Sequence, residues 1–526
     1  MQTIQLPRAA SPEAAGISSA ALSEMMRDIL ERRLELHSLM VVRHGQVAWE
    51  TFRSPYGPDY PHAMYSVSKS ITSIAIGFAV EEGLLRLEDK VADLVPALRE
   101  YDRHENLEKL QVLHLLSMCA GKNISVMIDK AKKHWIKDFG RGKWDYAPGE
   151  GWHYCNENIY MLCEILRRVT GACVVDYLMP RLFEPLGIAR PFWETDGCGA
   201  EAGGWGLYLR TEDLAKIAMC YLDEGKFQGR QVIPAAWVRA SSSPQRGDNS
   251  GGSDQGQCGY GYCFWMNTVP GSFRMDGMFS QYALIFPQYD ACVLTTGGEL
   301  DMGRLYRAIF RHIPALFEGG GETPAIDIPM LPAYDPLPAS GRNPALEAGL
   351  NGRCIRFIPT AQPIGKALGL PFSMMPMMIF FMSADKAGGI DRMHLRFTEQ
   401  GLKFSWSEGK ERNTVLCGMD GRWRKCKITL GGVEFLLACS AMWEGDVLHV
   451  RLRNLNSVAE RLLTFRFHGR TVRMLPRSSP GLEHMTGGAA QAVRGSIPNE
   501  ALGSFLAGVM DKITGLAEPE HIGVMR

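Results

Sequence analysis

The sequence predicts an α+β chain in two parts: a mixed helix-and-strand part, then a mostly antiparallel β part. Three observations predict it. Helical and strand periodicities alternate over the first ~320 residues. Prolines then recur at 324, 329, 332, 336, 338 and 344 while both periodicities fade, as in a linker. Beyond them, apolar and polar residues alternate in short runs separated by turn residues. A chain of 526 residues also exceeds what one hydrophobic core usually serves. The expected segments are a first domain over 1–320, a linker over 321–346, an antiparallel β domain over 347–476, and a loop with a helix over 477–526.

Each element has its own signal. Leu39 to Val42 and Val47 to Thr51 flank Arg43-His44-Gly45-Gln46, the pattern of a hairpin with glycine in the turn. Ser66 to Leu85 reads as a helix, with Ile71, Ile74, Ala75, Phe78 and Ala79 on one stripe. Asn158 to Val169 is a second helix, stopped by Thr170-Gly171. Thr211 is expected to cap a third, with Asp213 in its first turn. Phe279 to Pro287 and Ala291 to Thr296 read as neighbouring strands. In the second part, Met393, Leu395 and Phe397, then Leu448, Val450 and Leu452, then Leu463, Phe465 and Phe467 alternate with polar residues. Such runs describe a meander closed as a barrel, lipocalin-like in outline, or packed as a sandwich. Asn499 to Leu516 is expected to be a helix.

Composition excludes some classes of function. Lys plus Arg and Asp plus Glu both number 57, so no bulk charge draws the chain to nucleic acid or to an anionic membrane. Met1 to Leu22 has no apolar core of signal-peptide length. The apolar stretch Pro371 to Met382 is about half of a spanning helix and holds two prolines. Thirteen cysteines lie scattered, with no Cys-x-x-Cys pair and no His-Glu-x-x-His. Reduced thiols, a cytoplasmic location, no metal and no cofactor are the expectation.

The first chemical motif is Ser66-Val67-Ser68-Lys69. A serine hydroxyl is a poor nucleophile at neutral pH and needs a base beside it. Residues three apart share a helical face, so Lys69 can reach Ser66. Ser66 at the helix tip also offers a free N–H where the helix dipole favours negative charge. A second copy, Ser407-Glu408-Gly409-Lys410, falls in a turn between predicted strands and reads as a solvated hairpin loop. The second motif is Tyr154-Cys155-Asn156. A phenol near an ammonium can exchange protons, and Asn156 can bond both Lys69 and a substrate carbonyl, or simply cap the following helix. The third is Gly277, placed where a substrate could lie along a strand edge, with the Met278 N–H as second oxyanion donor beside that of Ser66.

With these motifs the chain resembles the serine β-lactamase and penicillin-binding protein superfamily over about residues 10 to 315. The supporting segments run in family order: Ser11-Pro12-Glu13 with Gly16, Tyr65 to Ser70, Gly83-Leu84-Leu85, Leu115-Leu116-Ser117-Met118, Pro148-Gly149-Glu150, Leu182 to Ile188, and Gly203-Gly204-Trp205-Gly206-Leu207. The Tyr154 and Gly277–Gln281 segments look most like aminohexanoate-oligomer hydrolases and family VIII-type esterases. The resemblance implies a β-lactamase/transpeptidase-like fold, an antiparallel sheet flanked by helices plus a helical subdomain. It implies Ser66, Lys69 and Tyr154 as catalytic residues, and Asn156, Gly277, Trp205 and Asp276 around the substrate. True β-lactamases carry Lys-Thr-Gly at the third motif; here Met275-Asp276-Gly277 stands there. Arg274 is one residue out of register, and Asp276 would repel an anion unless turned away, so inefficient β-lactam hydrolysis is expected. Ser280 stands where relatives often have glycine.

Some tempting residues have plainer readings. His153 beside Tyr154 reads as a structural or rim histidine, Trp205 serves packing as well as lining, and Trp135 and Trp144 belong to an insertion that could form a lid. Gly197-x-Gly199 and Gly204-x-Gly206 do not follow a strand of a βαβ unit, which argues against a nucleotide site. The expected function is a serine hydrolase of small ester or amide substrates. The alternatives are a D-amino-acid peptidase or amidase, a weak β-lactamase, or a binding or scaffold protein that keeps the fold. The β domain could bind a ligand, cover the active-site mouth or mediate self-association. The order in which Lys69 and Tyr154 act stays open at this level.

Overall fold

A computed structural model describes residues 4–123, 135–246, 258–318, 326–357, 374, 390–408, 410–481 and 520–526. The chain divides into two compact units, Met1–Pro332 and Ala333–Arg526.

The first unit is built on one antiparallel sheet. Its strands are β1 (Leu36–Arg43), β2 (Gln46–Phe52), β3 (Trp265–Met266), β4 (Phe273–Gly277), β5 (Gln281–Phe286) and β6 (Ala291–Gly297). They lie in the order β2-β1-β6-β5-β4-β3. The hairpin β1–β2 turns at His44 and Gly45, both with positive φ (51° and 76°), the pairing a tight primed turn demands. Helices α1 (Ser19–Glu31), α2 (Val67–Glu81), α4 (Thr211–Leu222) and α5 (Met302–Phe310) pack on the sheet, and α3 (Asn156–Thr170) packs on other helices. Helices α1 and α5 share one core with the sheet, in which Leu22, Met25, Met26 and Ile29 meet Leu39, Val41, Leu284, Val293, Leu305 and Ile309. Helix α2 is buried from Val67 to Ala79, as a helix at the centre of a larger core must be. It packs on α3 and on β4, and Gly77 lets it approach Trp237, whose ring lies 2.3 Å from where a Cβ would sit.

Two expected caps are corrected here. Thr211 is the first residue within α4, and Arg210 occupies the cap position without a side-chain capping bond. The Thr211 hydroxyl instead bonds Ser38 at 2.8 Å, a buried partner that competes with capping. Likewise Asn156 is the first residue of α3 and Cys155 stands at the cap. The α3 stop is as expected, with Gly171 left-handed at φ 73°.

The second unit is one ten-stranded antiparallel sheet: β7 (Ile355–Phe357), β8 (Ile390–Thr398), β9 (Gly401–Glu408), β10 (Glu411–Cys417), β11 (Arg424–Leu430), β12 (Val433–Glu444), β13 (Val447–Asn454), β14 (Glu460–His468), β15 (Thr471–Ser479) and β16 (His521–Met525). The order is β10-β9-β8-β7-β16-β15-β14-β13-β12-β11. It is a nearly closed barrel. Across the seam the Asn413 side-chain amide accepts from Thr429 N–H at 2.8 Å and donates to Thr429 O at 2.7 Å. Inward positions are apolar and outward ones polar; β13 alternates buried and half-buried residues throughout.

The expected boundaries 347–476 and 477–526 are therefore too tight. Strand β15 runs to Ser479 and β16, near the C-terminus, pairs with β7. The proline-rich segment is also not a free tether. Tyr334 O accepts from Trp423 Nε1 at 2.9 Å and Leu337 N donates to Ser440 Oγ at 3.0 Å, so it is laid against the barrel from Ala333 on. The predicted helix 499–516 and most of the apolar stretch 371–382 lie outside the described residues. In the second Ser-x-x-Lys copy Ser407 and Glu408 end β9 and Lys410 precedes β10; Glu408 is buried, not part of a solvated loop as expected. No helix among the described residues is long and apolar enough to cross a membrane.

Candidate active site

The site begins at a backbone kink. Tyr65 has φ 46°, a left-handed conformation that costs a non-glycine residue of order 1 kcal/mol or more. It turns the chain so that Ser66 becomes the cap residue of α2. The Ser66 side chain makes no capping bond, which leaves its hydroxyl to Lys69: the distance Lys69 Nζ to Ser66 Oγ is 2.7 Å. Lys69 Nζ also reaches Asn156 Oδ1 at 2.6 Å and Gly204 O at 2.7 Å. It lies 4.7 Å from the centroid of the Tyr154 ring, and the Tyr154 phenol lies beside the Ser66 hydroxyl. Hydroxyl, amine and phenol from Ser66, Lys69 and Tyr154 thus converge at one helix tip.

Burial sets the protonation of this cluster. Lys69 is 1% exposed. Desolvation disfavours its charge and brings its pKa down to about 7, against the partial opposition of Cys263, Glu157, Cys155 and Asp276. The same cause acts oppositely on Tyr154, pushing its phenol well above the usual tyrosine range, with the Ser66 hydroxyl working the other way. A neutral amine has two N–H donors and one lone pair. Asn156 Oδ1 and Gly204 O accept two donors, and the lone pair is left for the Ser66 proton.

Several elements hold these groups. Met118, at φ 60°, accepts His153 N–H on its carbonyl (2.9 Å) and Cys155 N–H on its sulfur (3.5 Å), fixing the Tyr154 segment on both sides. Trp152, Tyr260 and Trp265 box the Tyr154 ring at centroid distances of 6.3, 6.4 and 5.6 Å. The hydroxyls of α2 tie down the loops beside it. Ser68 Oγ accepts from Leu207 N–H at 3.2 Å, Ser70 donates to Cys263 O at 2.6 Å, and Thr72 donates to Gly203 O at 3.2 Å. These bonds deliver the Gly204 carbonyl to Lys69. Sequence reasoning misses Met118 and Gly204; the signal for the latter is the run of Ser and Thr along α2.

The third motif is placed by β4. Gly277 is required by close packing: a Cβ there would lie 2.4 Å from Met64 O. The end of β4 thereby abuts the segment entering Ser66. Gly277→Ala is expected to destabilise the protein by about 1–3 kcal/mol through this overlap, measured by urea unfolding. The turn beyond it holds Phe279 and Ser280 at φ 64° and 67°. Gln281 Nε2 pins it by donating to Met278 O, Phe279 O and Gly297 O at 2.9–3.0 Å, and the Tyr65 and Phe279 rings meet edge-on at 5.1 Å. Among the described residues no backbone carbonyl accepts from the N–H of Ser66 or Met278.

Asp276 is turned to Arg274. Arg274 Nε donates to Asp276 Oδ2 at 2.7 Å, and its Nη1 donates to Met266 O and Asn267 Oδ1. Residues two apart on a strand share a face; on it Arg274 is buried and Asp276 half-buried. Trp205 is 5% exposed and stacks on Trp135 at 5.5 Å, so its ring serves packing. Trp135 is buried and Trp144 donates to Asp102 at 2.9 Å, so both are packed. His153 is exposed. No cluster of His, Cys, Asp or Glu among the described residues could hold a metal ion.

Residues 22–307, more than half of the chain, match the β-lactamase family. The chain belongs to that family. Within it, the 6-aminohexanoate-dimer hydrolase of Paenarthrobacter ureafaciens is 28% identical over 251 residues, 44% of this chain and 64% of that protein, so less than two thirds of that relative is spanned. The D-aminopeptidase of Brucella anthropi is 28% identical over 165 residues, 28% of this chain and 31% of its own. Among solved structures, one assigned as a 6-aminohexanoate-dimer hydrolase from Bacillus anthracis superposes with a TM-score of 0.51 at 18% identity, covering 60% of this chain and 89% of its own. That likeness is one of fold.

Proposed function

We propose that this β-lactamase-family chain is a serine hydrolase that forms an acyl-enzyme on Ser66 and cleaves small ester or amide substrates. The observation that carries the reading is the three-way bonding of Lys69 Nζ to Ser66 Oγ, Asn156 Oδ1 and Gly204 O at 2.6–2.7 Å, in surroundings that favour the neutral amine. Lys69 takes the Ser66 proton as the serine oxygen attacks the substrate carbonyl. The N–H groups of Ser66 and Met278 take the oxyanion. Tyr154, held protonated by burial, gives its proton to the leaving oxygen or nitrogen and is reprotonated from Lys69. Water then attacks the acyl group with Lys69 again as base, and Ser66 regains its proton.

The Arg274–Asp276 pair bears on substrate choice. In β-lactamases a lysine at the third motif binds the substrate carboxylate. Here the nearby cation is committed to Asp276, which favours acyl groups without an anion at that place. The kinship with a 6-aminohexanoate-dimer hydrolase supports linear amides, and that with a D-aminopeptidase puts D-alanyl amides on the same panel. The test compares p-nitrophenyl butyrate, the 6-aminohexanoate linear dimer, D-alanyl p-nitroanilide and nitrocefin. Ester and linear-amide turnover, with nitrocefin about 10- to 150-fold slower in kcat/KM for want of one charge-assisted contact worth about 1.5–3 kcal/mol, is the expected result. Turnover of nitrocefin alone would sink the substrate assignment, and turnover of none of the four would sink the reading.

A further inference from the structure

The barrel seam holds chemistry that ester hydrolysis does not use. Three cysteines lie on three consecutive strands: Cys417 at the end of β10, Cys426 in β11 and Cys439 in β12. Strand alternation points all three the same way. Inward residues of β10 are the odd ones, those of β11 the even ones and those of β12 the odd ones, as their burial shows. Arg424 pairs with Cys439 in the β11–β12 register and Cys426 with Leu437, so Cys426 and Cys439 are diagonal neighbours on one face. The Cys439 thiol lies beside those of Cys426 and Cys417. Cys426 Sγ accepts Leu416 N–H at 3.2 Å across the seam.

The three sulfurs are not equivalent. Cys417 and Cys439 are buried, whereas Cys426 is half-buried and so the most exposed of the three. As a thiol Cys426 donates to Leu416 O at 3.6 Å, whereas a thiolate there would accept from the Leu416 N–H and the Cys439 S–H. That hydrogen bond from Cys439 outweighs partial burial and draws the Cys426 thiol down to about 6. Burial pushes Cys439 the other way, so its proton stays on sulfur to be donated. A low-pKa, partly exposed thiol beside a second, protonated thiol is the arrangement that oxidation by peroxide selects.

We infer that the seam of the second unit is an oxidation site for hydroperoxides, with Cys426 as the reacting thiolate and Cys439 as the resolving thiol. The Cys426 sulfur attacks the terminal oxygen of hydrogen peroxide; an S–O bond forms, the O–O bond breaks and hydroxide leaves, giving a sulfenic acid. The Cys439 sulfur then attacks the Cys426 sulfur; an S–S bond forms, the S–O bond breaks, and the hydroxyl leaves as water with the Cys439 proton. Two thiols lose two electrons in total and the peroxide gains them.

The test uses the full chain and its own cysteines as controls. Cys198 is exposed while Cys173, Cys258 and Cys354 are half-buried. By exposure alone Cys198 should react first. Here Cys426 is expected to take iodoacetamide at pH 6.5 about 10-fold faster than Cys198, because thiolate fraction governs the rate. After one equivalent of hydrogen peroxide, cleavage at glutamate should yield fragment 412–434 linked to fragment 435–444. The link should persist in Cys417→Ser, vanish in Cys426→Ser, and be replaced in Cys439→Ser by a dimedone adduct on Cys426. The labelling arm needs no variant and so does not depend on how substitutions fold. Faster labelling of Cys198 than Cys426, or a link that survives Cys426→Ser, would overturn the assignment.

Discussion

Ser66→Ala is expected to lower kcat/KM for p-nitrophenyl butyrate by about 10⁵-fold or more, the scale on which loss of a serine nucleophile acts. It should also abolish labelling by a fluorophosphonate probe. The reason is local. The hydroxyl makes no capping bond to α2, so its removal takes away the nucleophile and leaves the helix start unchanged. Unaltered unfolding by urea would accompany the loss. Persistent labelling in this variant would place the acyl group on another residue.

Lys69 carries the second large effect. Lys69→Arg should reduce kcat/KM by about 10³- to 10⁴-fold, the usual contribution of a positioned base, because a guanidinium stays protonated and cannot take the serine proton. In the wild type the active form is the neutral amine. Its pKa, brought down to about 7 by burial, fixes the sign: below pH 7 the amine becomes ammonium, and log kcat/KM should fall with a slope of one per pH unit. Above pH 7 the profile should be flat through the neutral range, since Tyr154 is held protonated well above it. A profile flat down to pH 5, or full activity in Lys69→Arg, would remove Lys69 as the base.

Much of this site is legible in the amino-acid sequence. Ser66 and Lys69 sit three apart at a helix start, and helical geometry alone brings them together. The barrel is legible because period-two alternation in β8, β13 and β14 has one physical cause, a buried face and a wet face. Other features depend on contacts distant in sequence. Asn156 and Thr211 have the chemistry of caps, but each is drawn into its helix by a partner far along the chain, Lys69 in one case and Ser38 in the other. Gly277 suggests room for a substrate, and its close packing on the carbonyl of Met64 shows only in the fold. Strand β16 is too short for a periodic signal, and its partner β7 stands more than 160 residues earlier. The Arg274–Asp276 pair is the instructive exception. Both residues lie on one face of one strand, so strand alternation alone is enough to place the two charges side by side.

The closure of the barrel has a consequence for how its two rims meet other chains. A sheet that stops short of a full ladder presents edges, and edges recruit foreign strands. Here the primary amide of Asn413 imitates a peptide group, engaging Thr429 through both its oxygen and its nitrogen. Glu411 occupies the amides of Gly431 and Gly432 in the same manner. On the outer side of β11, the exposed Lys425 and Lys427 add charge where an intruding strand would dock. A handful of polar side chains thus does the work of a missing rung, and the cylinder is sealed against templated growth without being covalently or fully knitted shut.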